Sequence, residues 1–230
     1  MGYLSNAGNT MELKILDLFC GTKSWSKPFE NAKDVEIISV DNNYKFSPTF
    51  TRDILTWDYK RDVEKADVIF ASPPCDLYFS PLKLPKGILQ FTEQDVITSK
   101  ACVEKTLEIL DYYNPKYFCM ENPKGKMRYC YPFIRHKLFR TIDYCMYGFD
   151  YKKPTDIWTN VEIEFKQCVH KKHKVNIKTH NSTEVDARGT NHNDKVITGR
   201  IAPEFAQEIA EKVLLAFLPN LKVGVSSEVL

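Results

Sequence analysis

Two short stretches bring together residue types that do chemistry. Ser72-Pro73-Pro74-Cys75 comes directly after the apolar run Asp67-Val68-Ile69-Phe70, which reads as a buried strand. Consecutive prolines cannot extend a sheet ladder, and their fixed φ stiffens the chain at the next residue. The residue held there is a cysteine at the carboxyl end of a strand, where open α/β sheets place ligands. Its thiolate is a candidate nucleophile for covalent catalysis; a buried structural thiol in a proline turn is the other reading. The second stretch, Glu121-Asn122-Pro123, comes after Lys116-Tyr117-Phe118-Cys119-Met120, a further apolar run ending in a carboxylate. Glu121 could act as a buried general acid or pair with a heterocycle, or cap a turn. A thiol and a carboxylate on successive strand tips of a parallel sheet can face one crevice. A cysteine hydrolase fits poorly, because no histidine stands at a strand tip to serve as its base.

The elements that must position these groups read as an α/β fold. Residues 14–19 form a fully buried strand, and Cys20-Gly21-Thr22-Lys23-Ser24 turns from it into a helix expected over 25–29. Strand, glycine turn and helix start make a corner whose backbone N–H groups converge. Residues 35–40 form a second strand ending in Asp41, an acid placed to bind ribose hydroxyls as in dinucleotide folds, or to cap a turn. Asp53-Ile54 precede Trp57, a candidate adenine-side contact. Residues 76–87 read as an irregular loop able to act as a lid. A helix is expected from Thr92 to about Tyr113, burying Val96, Ile97, Val103, Leu107 and Leu110. A short helix over 131–139 and strands over 140–147 and 156–160, joined by a hairpin-like turn, would add an antiparallel edge to a mostly parallel sheet. A last amphipathic helix runs from Pro203 to about Phe217. One catalytic domain is expected over 11–218, after a polar lead-in (1–10) and before a tail (219–230).

Composition bounds the setting. No apolar run reaches the length of a membrane span, so no membrane partner is expected. The seven scattered cysteines, with no secretory leader, suit reduced thiols in a cytoplasm rather than a disulfide framework. Net charge is only +2, but residues 166–178 are rich in Lys and His and lack carboxylates, a footprint for a polyanion or simply a solvated loop. Cys168, His170 and His173 stand there with poor zinc spacing, and no metal is expected.

In order and spacing these residues resemble the DNA (cytosine-5) methyltransferases, closest to a short, phage-type member. Asp17-Leu18-Phe19-Cys20-Gly21 resembles the family's cofactor motif, and Pro73-Pro74-Cys75 with Phe79-Ser80 its nucleophile loop. Glu121-Asn122 resembles the pair that contacts the target base. Tyr151-Lys152-Lys153-Pro154-Thr155 stands where an arginine motif is expected, with Lys153 in one arginine position. Ile201-Ala202-Pro203 and Phe205-Ala206 resemble the last motif, which closes over the cofactor. The glycines after Gly21 are replaced around Lys23-Ser24, and 161–198 is a reduced insert where a target-recognition domain would stand.

The resemblance implies a Rossmann-like, S-adenosyl-L-methionine-dependent methyltransferase acting on carbon-5 of cytosine in duplex or single-stranded DNA. It implies Cys75, Glu121 and Lys153 as catalytic residues, and Asp17, Phe19, Gly21, Asp41, Asp53, Ile54 and Pro73 around the cofactor. Ser80, Lys152, Lys171 and Lys172 are the expected nucleic-acid contacts. The alternatives are the same chemistry on a free pyrimidine nucleotide or RNA, or a non-catalytic nucleic-acid- or cofactor-binding module. A cytoplasmic location is expected, that of the host if the protein is viral.

Overall fold

The computed structural model describes residues 12–75, 92–125, 127–130, 139–171 and 200–217. Their centre is a seven-stranded sheet made of β1 (Leu13–Leu18), β2 (Val35–Asp41), β3 (Phe50–Thr51), β4 (Val68–Ala71), β5 (Tyr117–Pro123), β6 (Phe139–Asp143) and β7 (Pro154–Thr159). The spatial order is β3-β2-β1-β4-β5-β7-β6. The first five strands in that order run parallel, while β7 is antiparallel to both β5 and β6. The expected parallel sheet with an antiparallel edge is therefore present. Strand order reverses between β1 and β4, so the carboxyl ends of these two neighbours flank the crevice in which open α/β sheets bind ligands.

The two-residue side-chain period of the strands divides the core. Leu13 and Ile15 of β1, with Val68 and Phe70 of β4, pack beneath Phe205, Ile209 and Val213 of the last helix, α4 (Pro203–Phe217). Leu16, Leu18, Ile69 and Ala71 face the other way, toward α2 (Glu93–Tyr113). Two single-turn helices, α1 (Tyr59–Asp62) and α3 (Met127–Cys130), also lie among the described residues.

Several expected elements differ in the structure. The helix expected over 25–29 is a single 3-10 turn, Lys27–Phe29. Trp25 is instead tucked inward, stacked on Phe70 with ring centroids 5.2 Å apart, and Ser26 is tied to Asp17. The helix α2 begins where expected, with a Thr92–Asp95 capping box, but Val96 and Ile97 are exposed. Its buried face uses Ser99, Cys102, Val103, Thr106 and Ile109. Thr106 is tolerated inside because its hydroxyl donates to Cys102 O at 2.8 Å.

Strand β5 continues through Pro123, so Glu121 and Asn122 lie within it rather than beyond its tip; β7 pairs with them throughout. β6 stops at Asp143, and Tyr144–Met146 form a 3-10 turn where strand was expected. The 76–87 loop, the 1–10 lead-in, the 219–230 tail and most of the 131–139 helix lie outside the described residues. Of the expected insert, Val161, Ile163 and Phe165 pack against the α4 side of the core.

Candidate active site

The exit of β1 is a tight, left-handed run. Phe19, Gly21 and Lys23 have φ of 55°, 47° and 57°. Only Gly21 among the three adopts this φ without strain. The turn is bonded within the protein, with Cys20 N donating to Val40 O (3.1 Å) and Lys23 N to Cys20 O (2.7 Å). The run is held from the neighbouring strand: Gly21 N donates to Asp41 Oδ2 (3.0 Å) and Asn43 N to Asp41 Oδ1 (2.8 Å). Each carboxylate oxygen keeps a further lone-pair site, so Asp41 can fix the turn and still accept from a ligand. Beneath it Asp17 is fully buried. Its Oδ2 accepts from Ser26 Oγ (2.6 Å), and its Oδ1 has no hydrogen-bond partner. Burial pushes its carboxyl up to about 7, against the opposing pull of the Ser26 bonds.

A cavity of about 400 Å³ opens beside this turn, walled by Thr22 and Ser24 on one side and Ile201, Pro203 and Gln207 on the other. It lies where the glycine turn meets the start of α4. Gly148, at φ +91°, lets the chain approach that helix; a Cβ there would stand 3.0 Å from Glu204 Oε1. Asp53 is exposed and caps its own turn by accepting from Leu55 N (2.9 Å). Ile54 is buried in the α2 side of the core. Trp57, expected as an adenine-side contact, is buried too. Its Nε1 donates to Asp62 Oδ2 at 3.0 Å, and its ring packs against Phe50 and Tyr59, which assigns it to the core.

The loop after β4 is fastened on both sides. Ser72 N donates to Leu18 O (3.2 Å) and Ser72 Oγ accepts from Trp25 Nε1 (3.1 Å). Asn122 Nδ2 donates to Pro73 O (3.1 Å). Pro73 is buried, and Cys75 is half-buried at the end of this tether. Asn122 is fully buried, so its amide braces the loop rather than facing a surface.

Next to Asn122, Glu121 is 5% exposed. Lys153 Nζ lies 3.6 Å from Glu121 Oε1, and Tyr144 Oη donates to that oxygen at 3.3 Å. The ammonium also sits over the Tyr144 ring, 4.7 Å from its centroid. Burial raises the Glu121 carboxyl above its usual range; Lys153 and the Tyr144 bond oppose that shift. The pair comes from two antiparallel neighbours, β5 and the residue preceding β7, which is why distant residues meet. Behind it, Arg128 forms a two-pronged ion pair with Asp156 and also donates to Thr141 Oγ1 (3.1 Å).

The sequence pattern missed Tyr144 and the bracing roles of Asn122 and Trp25. Tyr144 and Trp25 have no sequence signal beyond an apolar or strand setting, and Asn122 stands out only as the partner of Glu121 in a base-contacting pair. The expected DNA contacts are less uniform. Lys152 Nζ lies 3.6 Å from Asp143 Oδ2, and Lys166 pairs with Glu208 while covering the Tyr147 ring. Lys171 is exposed; Ser80 and Lys172 lie outside the described residues.

The strand order, the reversed β7 and the glycine turn with an acid at the tip of β2 together define a Rossmann-like methyltransferase fold. Over 219 residues the chain is 29% identical to a "Probable DNA (cytosine-5)-methyltransferase" of Frog virus 3 (isolate Goorha), spanning 86% of this chain and 99% of that one. That match, like the order of the motifs along the chain, makes the chain similar to this probable DNA (cytosine-5)-methyltransferase. No protein-family profile matches it.

Similar solved structures include a candidate DNA modification methyltransferase encoded within prophage Cp (E. coli), at 16% identity, TM-score 0.46, 66% of this chain and 49% of that one. Another is the Entamoeba histolytica methyltransferase EhMeth, at 13% identity, TM-score 0.41, 70% of this chain and 57% of that one. The chain thus spans about half the length of these solved structures. Overlap at those scores is partial, and the strand order itself defines the class.

Proposed function

We propose that this chain transfers a methyl group to carbon-5 of cytosine in DNA through a covalent adduct on Cys75, within one catalytic domain covering 11–218. The observation that carries the reading is the Asn122–Pro73 hydrogen bond of 3.1 Å. It joins the residue beside Glu121 to the loop that ends at Cys75, and so supports one shared cleft for thiol and carboxyl. S-adenosyl-L-methionine would supply an electrophilic methyl group. The Phe19–Lys23 turn, Asp41 and the cavity beside Pro203 suit it: a tight backbone turn, a carboxylate with spare lone pairs, and space at the ligand-binding edge. Asp17 would position the turn through Ser26, and Asp53, Ile54 and Pro73 would form the walls.

In the proposed chemistry the Cys75 thiolate adds to carbon-6, and the ring's electrons move to make carbon-5 nucleophilic. Glu121 gives a proton to ring nitrogen-3, offsetting charge that develops there. Burial raises the Glu121 carboxyl above its usual range, which shifts it toward the protonated form that a donor needs. Lys153 positions Glu121 and limits that rise. Loss of the carbon-5 proton to solvent, return of the nitrogen-3 proton to Glu121 and release of the thiolate restore the ring. In duplex DNA the base would first leave the stack, at a cost of a few kcal/mol. Lys171, with Lys152, would meet the phosphate backbone.

Mass spectrometry of nucleosides from DNA co-expressed with the protein tests this reading. The expected product is 5-methylcytosine. DNA without it, alongside methylation of RNA or deoxycytidine monophosphate by purified protein, would move the activity to those substrates. Binding of S-adenosyl-L-methionine with no transfer to any of them would leave a binding module.

A further inference from the structure

At the far edge of the sheet, two cysteines and a histidine converge. Cys145 sits in the 3-10 turn after β6. Cys168 and His170 lie in the segment that leaves the core after Phe165. The two sulfurs and a ring nitrogen of His170 all fall within 4.8 Å of one another. Cys168 Sγ is 3.6 Å from His170 Nδ1. A tetrahedral zinc ion, with bonds of about 2.3 Å to sulfur and about 2.0–2.1 Å to nitrogen, sets its ligand atoms about 3.5–3.8 Å apart. The observed spacing therefore needs only a small contraction to take one.

We propose that Cys145, Cys168 and His170 form a zinc-binding site that staples the root of the basic segment to the end of β6. Sequence spacing alone speaks against a metal, because Cys168, His170 and His173 stand without a second cysteine pair; the fold brings Cys145, remote along the chain, to Cys168 and His170. The fold removes that separation.

The local framework holds the ligands in place before any ion arrives. Asp143, two residues before Cys145, accepts from Cys168 N through Oδ2 (2.8 Å), and Asp143 N donates to Lys166 O (3.3 Å). Hydrogen-bonded support of this kind fixes where metal ligands point. Asp143 Oδ1 is buried without a hydrogen-bond partner, so a carboxylate stands close to the site. Its other oxygen lies 3.6 Å from Lys152 Nζ, which offsets its charge. A pair of thiolates with one imidazole is the donor set that selects zinc over hard cations.

Binding is a substitution, not a redox step. Each thiol releases its proton to solvent as its sulfur–zinc bond forms. Neutral His170 coordinates through Nδ1 and keeps its proton on Nε2. The ion takes one more ligand than these three.

The test is metal content and affinity, which do not depend on methyl transfer. Protein purified without added metal is analysed by plasma mass spectrometry, and metal-free protein is titrated with Co²⁺ and then Zn²⁺. One zinc per chain is expected, with a cobalt spectrum showing thiolate charge-transfer bands that zinc abolishes. His170→Ala, at an exposed position, should keep the wild-type circular dichroism and bind zinc about tenfold or more weakly. Cys145→Ser and Cys168→Ser should lose both bands and stoichiometric metal. Protein that holds no zinc and gives no cobalt bands would overturn the proposal. So would a Cys145–Cys168 disulfide in non-reduced protein, or unchanged zinc affinity in His170→Ala.

Discussion

Replacing Lys153 by methionine isolates the electrostatics of the candidate acid. Methionine keeps the unbranched apolar stem but removes the ammonium 3.6 Å from Glu121 Oε1. Glu121 is 5% exposed, so its carboxylate would be left unpaired in a poorly solvated place, and it would neutralise by taking up a proton.

The cost is bounded by linkage. An unfolded glutamate releases its proton near pH 4.5, whereas the folded variant keeps it. Above that pH the native state holds more protons than the unfolded state, so stability falls as pH rises, by about 1.4 kcal/mol per unit. At pH 7 the loss relative to wild type is at most about 3.5 kcal/mol, and at pH 5 below about 1 kcal/mol. Wild type loses less over this window, because Lys153 holds the Glu121 carboxyl lower. Urea unfolding of wild type, Lys153→Met and the Glu121→Gln/Lys153→Met double variant at both pH values measures it. The double variant should recover most of the pH 7 loss. Equal destabilisation of Lys153→Met at pH 5 and pH 7, with no recovery in the double variant, would refute the coupling.

Other outcomes rest on the same geometry. Asn122→Ala leaves the Pro73 carbonyl unpaired, which should cost about 1–3 kcal/mol in urea unfolding. It should also lower the methyl-transfer rate about 100-fold by loosening the Cys75 loop, while calorimetry finds cofactor affinity unchanged. Asp41→Ala releases Gly21 N and Asn43 N, so S-adenosyl-L-methionine should bind about tenfold or more weakly by calorimetry. Asp17 is held protonated up to about pH 7 in the fold but ionises near 3.8 when unfolded. It should therefore make stability decline between those values as pH rises, by about 4 kcal/mol at most. Asp17→Asn should flatten that part of the urea-derived pH profile.

The sheet was legible because its central strands are buried on both faces and so read as unbroken apolar runs, as in Val68–Ala71. The capping box marked the start of α2. Its buried face was not legible, because Ser99, Cys102 and Thr106 line it while Val96 and Ile97 face water. The turn at 25–29 was misread for a related reason. Helical pattern predicts no preference for Trp25 to stack on Phe70, a contact that exists only once β4 lies beside β1. Within the candidate site, strand-tip chemistry named Glu121 and the resemblance to an arginine motif named Lys153, and the structure brings the two to 3.6 Å. Tyr144 and the bracing amide of Asn122 depend on which strands become neighbours, and so does Cys145 beside Cys168. Parallel pairing of β4 with β5, antiparallel pairing of β7 between β5 and β6, and the return of the 166–168 segment to Asp143 create these meetings, and a linear pattern does not encode them.

The central claim is that Cys75 forms the bond to the base. Incubating the protein with S-adenosyl-L-methionine and DNA carrying 5-fluorocytosine tests it directly, since fluorine at carbon-5 cannot depart as a proton does and the adduct persists. The account predicts a denaturation-resistant protein–DNA complex whose crosslinked peptide contains Cys75, absent from Cys75→Ser. Methylation of ordinary DNA by Cys75→Ser, or a crosslink at another residue, would contradict it.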